Sequence, residues 1–127
     1  MGSDSQLWRF AVVGSREFSE WWGLAAARGI IEESLITYPI DCVVSGGATG
    51  VDSLAEELAK RYAIPVEIYE PLNRRWEPDG YKARNELIAE RCTHLLCIRS
   101  KDAKTYGSGW TADYAESIGR DVVRVEL

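Results

Sequence analysis

The chain predicts an α/β fold, an open parallel five-stranded sheet with helices on both faces. Two observations predict it. Five short apolar runs alternate with four helix-like segments along 127 residues, and strands alternating with helices form a parallel sheet. Most of the runs are continuously apolar, the pattern of strands buried on both faces.

The first strand is read at Leu7–Val13, stopped by Gly14-Ser15. The first helix is expected to begin after Ser19 and to run to about Leu35, with Gly23 and Gly29 weakening it. Cys42–Val44 is the second strand, ending at Ser45-Gly46-Gly47. Val51, Leu54, Ala55, Leu58, Ala59 and Tyr62 then form a full helical stripe. Thr49 is the expected N-cap of that helix, with Asp52 three residues on as a short capping box, and Pro65 ends it. Val66–Tyr69 is the third strand, and a third helix spans roughly Tyr81–Cys92, with Arg84, Leu87, Ile88 and Arg91 expected on one face. His94–Ile98 is the fourth strand, Trp110–Ile118 the fourth helix with Gly119 as its stop, and Val122–Val125 the fifth strand. The irregular stretches 70–80 and 99–109 exceed an ordinary strand-to-helix loop, and such loops on this scaffold carry function.

Composition bounds the rest. Hydrophobic residues make up 46% and charged residues 28%, a globular balance that excludes disorder. No apolar run approaches the roughly 20 residues of a membrane span, and no membrane partner is expected. Residues 1–6 read as a disordered or expression-derived leader before one domain over 7–127, and no signal peptide is read there. Three cysteines without zinc spacing (Cys42, Cys92, Cys97) read as reduced thiols of a cytoplasmic protein. The net charge is -5, which argues against binding duplex nucleic acid by bulk charge. The charge is uneven, however: residues 72–104 carry 8 basic and 5 acidic groups, against 5 and 11 in residues 1–71. A locally positive segment in an acidic chain suits a small anion, or is simply a solvated basic face.

Ligands of open α/β sheets bind beyond the carboxyl ends of the strands, so the loops there carry the candidates. Gly14-Ser15-Arg16 follows the first strand; Arg16 suits a phosphate or carboxylate, or is a surface residue of an ordinary turn. Ser45-Gly46-Gly47-Ala48-Thr49-Gly50 runs straight into the second helix, where free amides attract anions. The segment is neither a Walker motif nor the GxGxxG fingerprint. Asp52 either caps backbone amides or accepts bonds from sugar hydroxyls. After the third strand, Trp76 either stacks on a base or packs on the third helix. Arg84, with Asn85 beside it, requires a partner because an unpaired buried charge is costly; that partner is a protein carboxylate such as Asp52, or a ligand phosphate. Gly107-Ser108-Gly109-Trp110-Thr111 forms a second glycine-rich helix start. Two such sites on one cleft suit a nucleotide. The single histidine, His94, opens a strand, so neither a catalytic triad nor a histidine metal site is expected, and no cofactor is. Glu17, Asp52, Glu70, Asp79 and Asp113 are the carboxylates near the cleft that could act in acid–base or nucleophilic chemistry.

These residues resemble the SLOG superfamily, within it the YspA/YpsA-related branch. The likeness rests on Gly14-Ser15-Arg16, Ser45-Gly46-Gly47-Ala48-x-Gly50-Val51-Asp52, Trp76, Gly80 followed by Ala83-Arg84-Asn85, and Gly107-Ser108-Gly109. It covers residues 8 to 126. The resemblance implies a Rossmann-like fold, self-association into a homo-oligomer, and a nucleotide or nucleotide-sugar ligand in the glycine-loop cleft. Some members of the superfamily are phosphoribohydrolases with a Gly-Gly-x-Gly-Thr-x-Glu motif; here Trp110 interrupts the Gly-Thr pair and Asp113 stands where Glu belongs. DprA, another relative, binds single-stranded DNA.

The resulting expectation is a site for a ribose-phosphate-containing ligand, in the role of a sensor. Ser45, Gly46, Gly47 and Gly50 cradle the phosphate, Gly14, Ser15, Arg16, Arg84 and Asn85 surround it, Asp52 holds a sugar hydroxyl, and Gly107, Ser108, Gly109 and Thr111 form the second wall. The alternative is an N-glycosidic-bond hydrolase of nucleoside monophosphates, with Asp52 and Asp113 as catalytic carboxylates. The third reading is DprA-like binding of single-stranded DNA through Arg74, Arg75 and Lys82. Nucleic acid is otherwise not an expected partner.

Overall fold

A computed structural model describes residues 7–127; the leader read at 1–6 lies outside the described residues. The elements follow the order β1 (Arg9–Gly14), α1 (Gly23–Thr37), β2 (Cys42–Ser45), α2 (Val51–Arg61), β3 (Val66–Ile68), α3 (Tyr81–Arg91), β4 (His94–Arg99), α4 (Gly107–Ser117) and β5 (Asp121–Glu126). The five strands form one sheet in the order β3-β2-β1-β4-β5, and every pairing is parallel. The fold is therefore an α/β Rossmann-like sheet, as the alternation of elements requires.

Strand alternation divides the core in two. Phe10, Val12, Val43, Leu96 and Ile98 point to one face and pack with Ala27, Ile31 and Leu35 of α1 and Val51, Ala55, Leu58 and Ala59 of α2. Ala11, Val13, Val44, Leu95 and Cys97 point to the other, against Ile88 and Ala89 of α3 and Ala112 and Ala115 of α4. Adjacent residues of one strand thus serve opposite helix layers, so the central strands read as unbroken apolar runs. Cys42, Cys92 and Cys97 are buried free thiols in this packing.

Several boundaries differ from the sequence reading, each for a local reason. α2 is capped by Gly50, not Thr49, and no side chain caps it. The Asp52 carboxylate instead turns back to accept from the Ala48 N–H at 3.2 Å. α4 begins at Gly107, not Trp110: the Trp110 N–H bonds the Tyr106 carbonyl at 2.7 Å and the Thr111 hydroxyl bonds the Gly107 carbonyl at 2.9 Å. The three residues taken for a loop are the helix's first turn. The buried face of α3 carries Arg84, Asn85, Ile88 and Ala89, whereas Leu87 and Arg91 are exposed, so the apolar stripe is rotated from the one expected. β3 stops at Ile68, although the Tyr69 N–H still bonds the Ser45 carbonyl at 2.9 Å.

The sheet's carboxyl edge is closed by backbone. The Ser15 N–H bonds the Ile98 carbonyl at 3.0 Å, the Val51 N–H bonds the Ser15 carbonyl at 3.2 Å, and the Ser15 hydroxyl accepts from the Ser100 N–H at 2.9 Å. β1, β4 and α2 therefore meet at one residue. Gly14 makes this possible: a Cβ there would lie 2.1 Å from the Ile98 carbonyl oxygen and 2.8 Å from the Val51 side chain. Gly50, at φ +78°, would place one 2.4 Å from the Arg16 carbonyl oxygen. Gly14→Ala is expected to destabilise the fold by about 2 kcal/mol or more, since backbone must move to admit the methyl. Gly29→Ala, which meets nothing within 4 Å on α1, is expected to be neutral or to gain about 0.5–1 kcal/mol. Thermal or urea melts of the pair check both signs.

Candidate functional site

The site grows from the junction between β2 and α2. Ser45, fully buried at the end of β2, donates its hydroxyl to Glu56 at 2.6 Å and accepts from the Gly47 N–H at 3.3 Å. Asp52 collects the Ala48 amide, and the Gly46 amide also bears on it. The amides of residues 46–48 are thus turned inward onto side chains of their own loop. The next N–H groups, those of Thr49, Gly50, Asp52 and Ser53, make no hydrogen bond to the described residues. They are the unsatisfied donors of α2's N-terminus.

Arg84 enters this loop from the first turn of α3. It is 8% exposed. Its Nη1 donates to the Gly46 carbonyl at 2.6 Å and its Nε to the Asn85 side-chain oxygen at 2.8 Å. Both acceptors are neutral. Nη2 makes no hydrogen bond to the described residues, and the guanidinium is in no ion pair with a described carboxylate. Asp52 lies nearby but beyond ion-pair distance. A Cβ on Gly46 would sit 2.6 Å from Arg84 Nη1 and 3.0 Å from Asp52 Oδ2, so only glycine lets both charges close on this backbone. Asn85 extends the connection by donating to the Gly107 carbonyl at 3.4 Å, where the Thr111 hydroxyl also donates. One hydrogen-bonded chain therefore runs from Gly46 through Arg84 and Asn85 to Gly107, joining the starts of α2, α3 and α4.

Burial sets the electrostatics. Burial pushes the Asp52 carboxyl up to about 6, with the Ala48 and Gly46 amides and Arg84 acting in the opposite sense. Burial likewise lowers the Arg84 guanidinium, Asp52 opposes that, and the Arg16 charge adds to it. Arg16 is exposed and has no hydrogen-bond or ion-pair partner among the described residues. Its Cζ lies 6.0 Å from the Tyr81 ring centre, and that of Arg84 lies 5.6 Å from the same ring. Two guanidinium groups thus approach one aromatic ring. Tyr81 is a site residue that the sequence reading missed; its place on α3, three residues before Arg84, is the signal by which it could have been found.

Other expected residues occupy different positions. Asp113 is exposed on α4, accepting from Arg124 at 2.8 Å and from the Tyr106 hydroxyl at 2.8 Å. The Tyr106 hydrogen bond, with Arg124, holds its carboxyl below the usual range. It shares none of these partners with Asp52, which is buried and bonded within its own loop. Ser108 offers its carbonyl to the Cys97 thiol at 3.6 Å. The Tyr106 ring rests on Gly109, where a Cβ would lie 2.4 Å from it. Glu70 packs beside Gly47, while Glu17 and Asp79 are exposed. The Trp76 ring meets Trp110 of α4 edge-on at 5.2 Å, and Trp110 stacks on Tyr114 at 5.4 Å. Among the described residues, no group of three or more His, Cys, Asp or Glu is placed to hold a metal ion, and no helix is long and apolar enough to cross a membrane.

This parallel sheet, with its glycine-rich turn into α2 and its Arg-Asn pair opening α3, defines a Rossmann-like domain of the SLOG superfamily. Within that class, residues 3–68 match the family of DNA recombination-mediator protein A, 66 of the 127 residues, and the chain belongs to this family. Two solved structures share the fold. DNA processing protein A (DprA) from Streptococcus pneumoniae is 16% identical with a TM-score of 0.55, over 94% of this chain and 59% of that one. The molybdenum cofactor carrier protein MCP from Chlamydomonas reinhardtii is 14% identical with a TM-score of 0.67, over 96% of this chain and 78% of that one. The chain thus spans little more than half the length of the DprA chain. No curated protein matches it.

Asp52 gives the site a pH signature. A carboxyl that holds its proton more tightly folded than unfolded stabilises the fold at low pH, and that contribution is lost as pH rises through the folded pKa. Between about pH 4 and pH 7 the wild type is expected to lose up to about 3 kcal/mol relative to Asp52→Asn, from a shift of roughly 2 pH units. Urea melts of both proteins across that range measure it. Parallel profiles would remove Asp52 from this role.

Proposed function

We propose that the cleft binds the phosphate of a nucleotide or nucleotide-derived ligand. The observation that carries the reading is Arg84: a residue nine-tenths buried, whose guanidinium is bonded to two neutral acceptors and keeps one nitrogen unpartnered, at the loop that leads into a helix start with free amides. A buried cation held this way is completed by an anion, and the α2 N-terminus favours the same anion through its dipole and donors. A phosphate between Arg84 and the amides of Thr49 and Gly50 satisfies both. Asp52, which faces Gly46 from the same side as Arg84, then provides an acceptor for a sugar hydroxyl. The two structural neighbours are described by different ligands, DNA processing for one and a molybdenum cofactor for the other, so the ligand is argued from the residues.

Adenosine monophosphate is the first probe, with binding followed by calorimetry. Arg84→Lys keeps a cation but loses the planar fork, and is expected to weaken binding tenfold or more, the worth of one charge-assisted bond at about 1.5–3 kcal/mol. A thermal melt beside it separates lost affinity from lost fold, because Arg84 also holds Gly46 and Asn85. Unchanged affinity in a folded Arg84→Lys protein overturns the reading.

The family match supports a second reading, contact with single-stranded DNA. Arg74, Arg75 and Trp76 are exposed on the loop between β3 and α3, where basic and aromatic groups would track a strand. Affinity for an oligonucleotide is then expected to fall steeply with salt and to drop in Arg74→Ala/Arg75→Ala. A pocket-bound nucleotide gives a shallow salt slope and no dependence on that pair.

A further inference from the structure

We infer that the cleft holds two anion positions in series, an inner one at Arg84 and an outer one at Arg16, and so selects nucleotides carrying a diphosphate over monophosphates. The inference rests on the proposed phosphate site and names its substrate class. It begins with the different settings of the two arginines. Arg84 is buried at the floor, with Nη2 unpartnered. Arg16 is exposed at the rim on the loop after β1, and no described side chain neutralises it. Yet the two guanidinium carbons stand 5.6 and 6.0 Å from the centre of one ring, Tyr81, and the Arg16 charge bears on Arg84.

Two like charges held near each other repel. A single phosphate at the floor relieves the inner charge and leaves the outer one as it was. A diphosphate relieves both, because its second phosphate continues outward from the first toward the rim. Tyr81 permits the approach of both cations by presenting ring surface to them, and its own hydroxyl makes no hydrogen bond to the described residues. Two carboxylates bound the site and shape its occupant. Asp52 faces Gly46 from the same side as Arg84, and Glu70 stands beside Gly47 just past β3. Both contribute to the field at Arg84, so anionic groups are directed along the Arg84–Arg16 line and away from the β3 side. The backbone of Arg16 is fixed independently of its side chain, since its carbonyl packs on Gly50. Removing the side chain therefore leaves the loop in place.

The test is calorimetry with adenosine diphosphate and adenosine monophosphate on the wild type, Arg16→Ala and Arg84→Lys, with a thermal melt of each. The wild type is expected to bind the diphosphate about tenfold more tightly or better, one charge-assisted contact more. Arg16→Ala is expected to lose most of that preference, the diphosphate affinity falling about tenfold and the monophosphate affinity much less. Arg84→Lys is expected to weaken both. Equal binding of the two nucleotides by the wild type, or a preference that survives in Arg16→Ala, overturns the two-position inference while leaving the phosphate site standing. Binding of neither nucleotide by the folded wild type removes both.

Discussion

Arg84 is the constraint around which the cleft is organised. A guanidinium at 8% exposure carries a desolvation cost of several kcal/mol, and here no described carboxylate pairs with it. The protein meets that cost with the Gly46 carbonyl and the Asn85 side chain. Those two bonds in turn set the position of the glycine loop and, through Asn85, of the Gly107 carbonyl at the start of α4. Glycine at 46 follows from the same requirement, since any side chain would collide with the guanidinium. One buried arginine thus ties the glycine loop before α2 to the first turns of α3 and α4.

The sequence carried the fold more fully than it carried the site. Continuous apolar runs such as Ala11-Val12-Val13 and Leu95-Leu96-Cys97-Ile98 contribute to both core layers, and that is why their pattern was legible. The N-terminal ends of helices were less so. Thr49 has the chemistry of a cap, yet the loop is held by Asp52 from within the helix, a contact that depends on how Gly47 and Gly50 turn the chain. Gly107–Gly109 have the composition of a loop and form a helical turn, because tertiary contacts from Tyr106, Asn85 and Thr111 outweigh glycine's weak propensity.

Within the site, the residues brought together are those that share one hydrogen-bonded chain: Gly46, Arg84, Asn85, Gly107 and Thr111. Spacing along the sequence could place each of them at a strand's end or a helix's start. It could not show that Arg84 lacks a carboxylate partner, nor that Asp113 turns outward to Arg124. Both facts depend on side-chain direction, which is set by the rotation of α3 and α4 about their own axes. Tyr81 and Glu56 illustrate the same gap. One adjoins Arg84 on α3 and the other holds Ser45 from α2, and neither belongs to a recognisable motif.

The chain of bonds from Gly46 to Gly107 also has a mechanical meaning. The loop before α2 and the first turn of α4 are tied to each other through α3, so the two cannot part without breaking the buried Gly46–Arg84 bond or the longer, part-buried Asn85–Gly107 bond. One helix thus braces the starts of two others, like a cross-tie between beams that are not otherwise joined there.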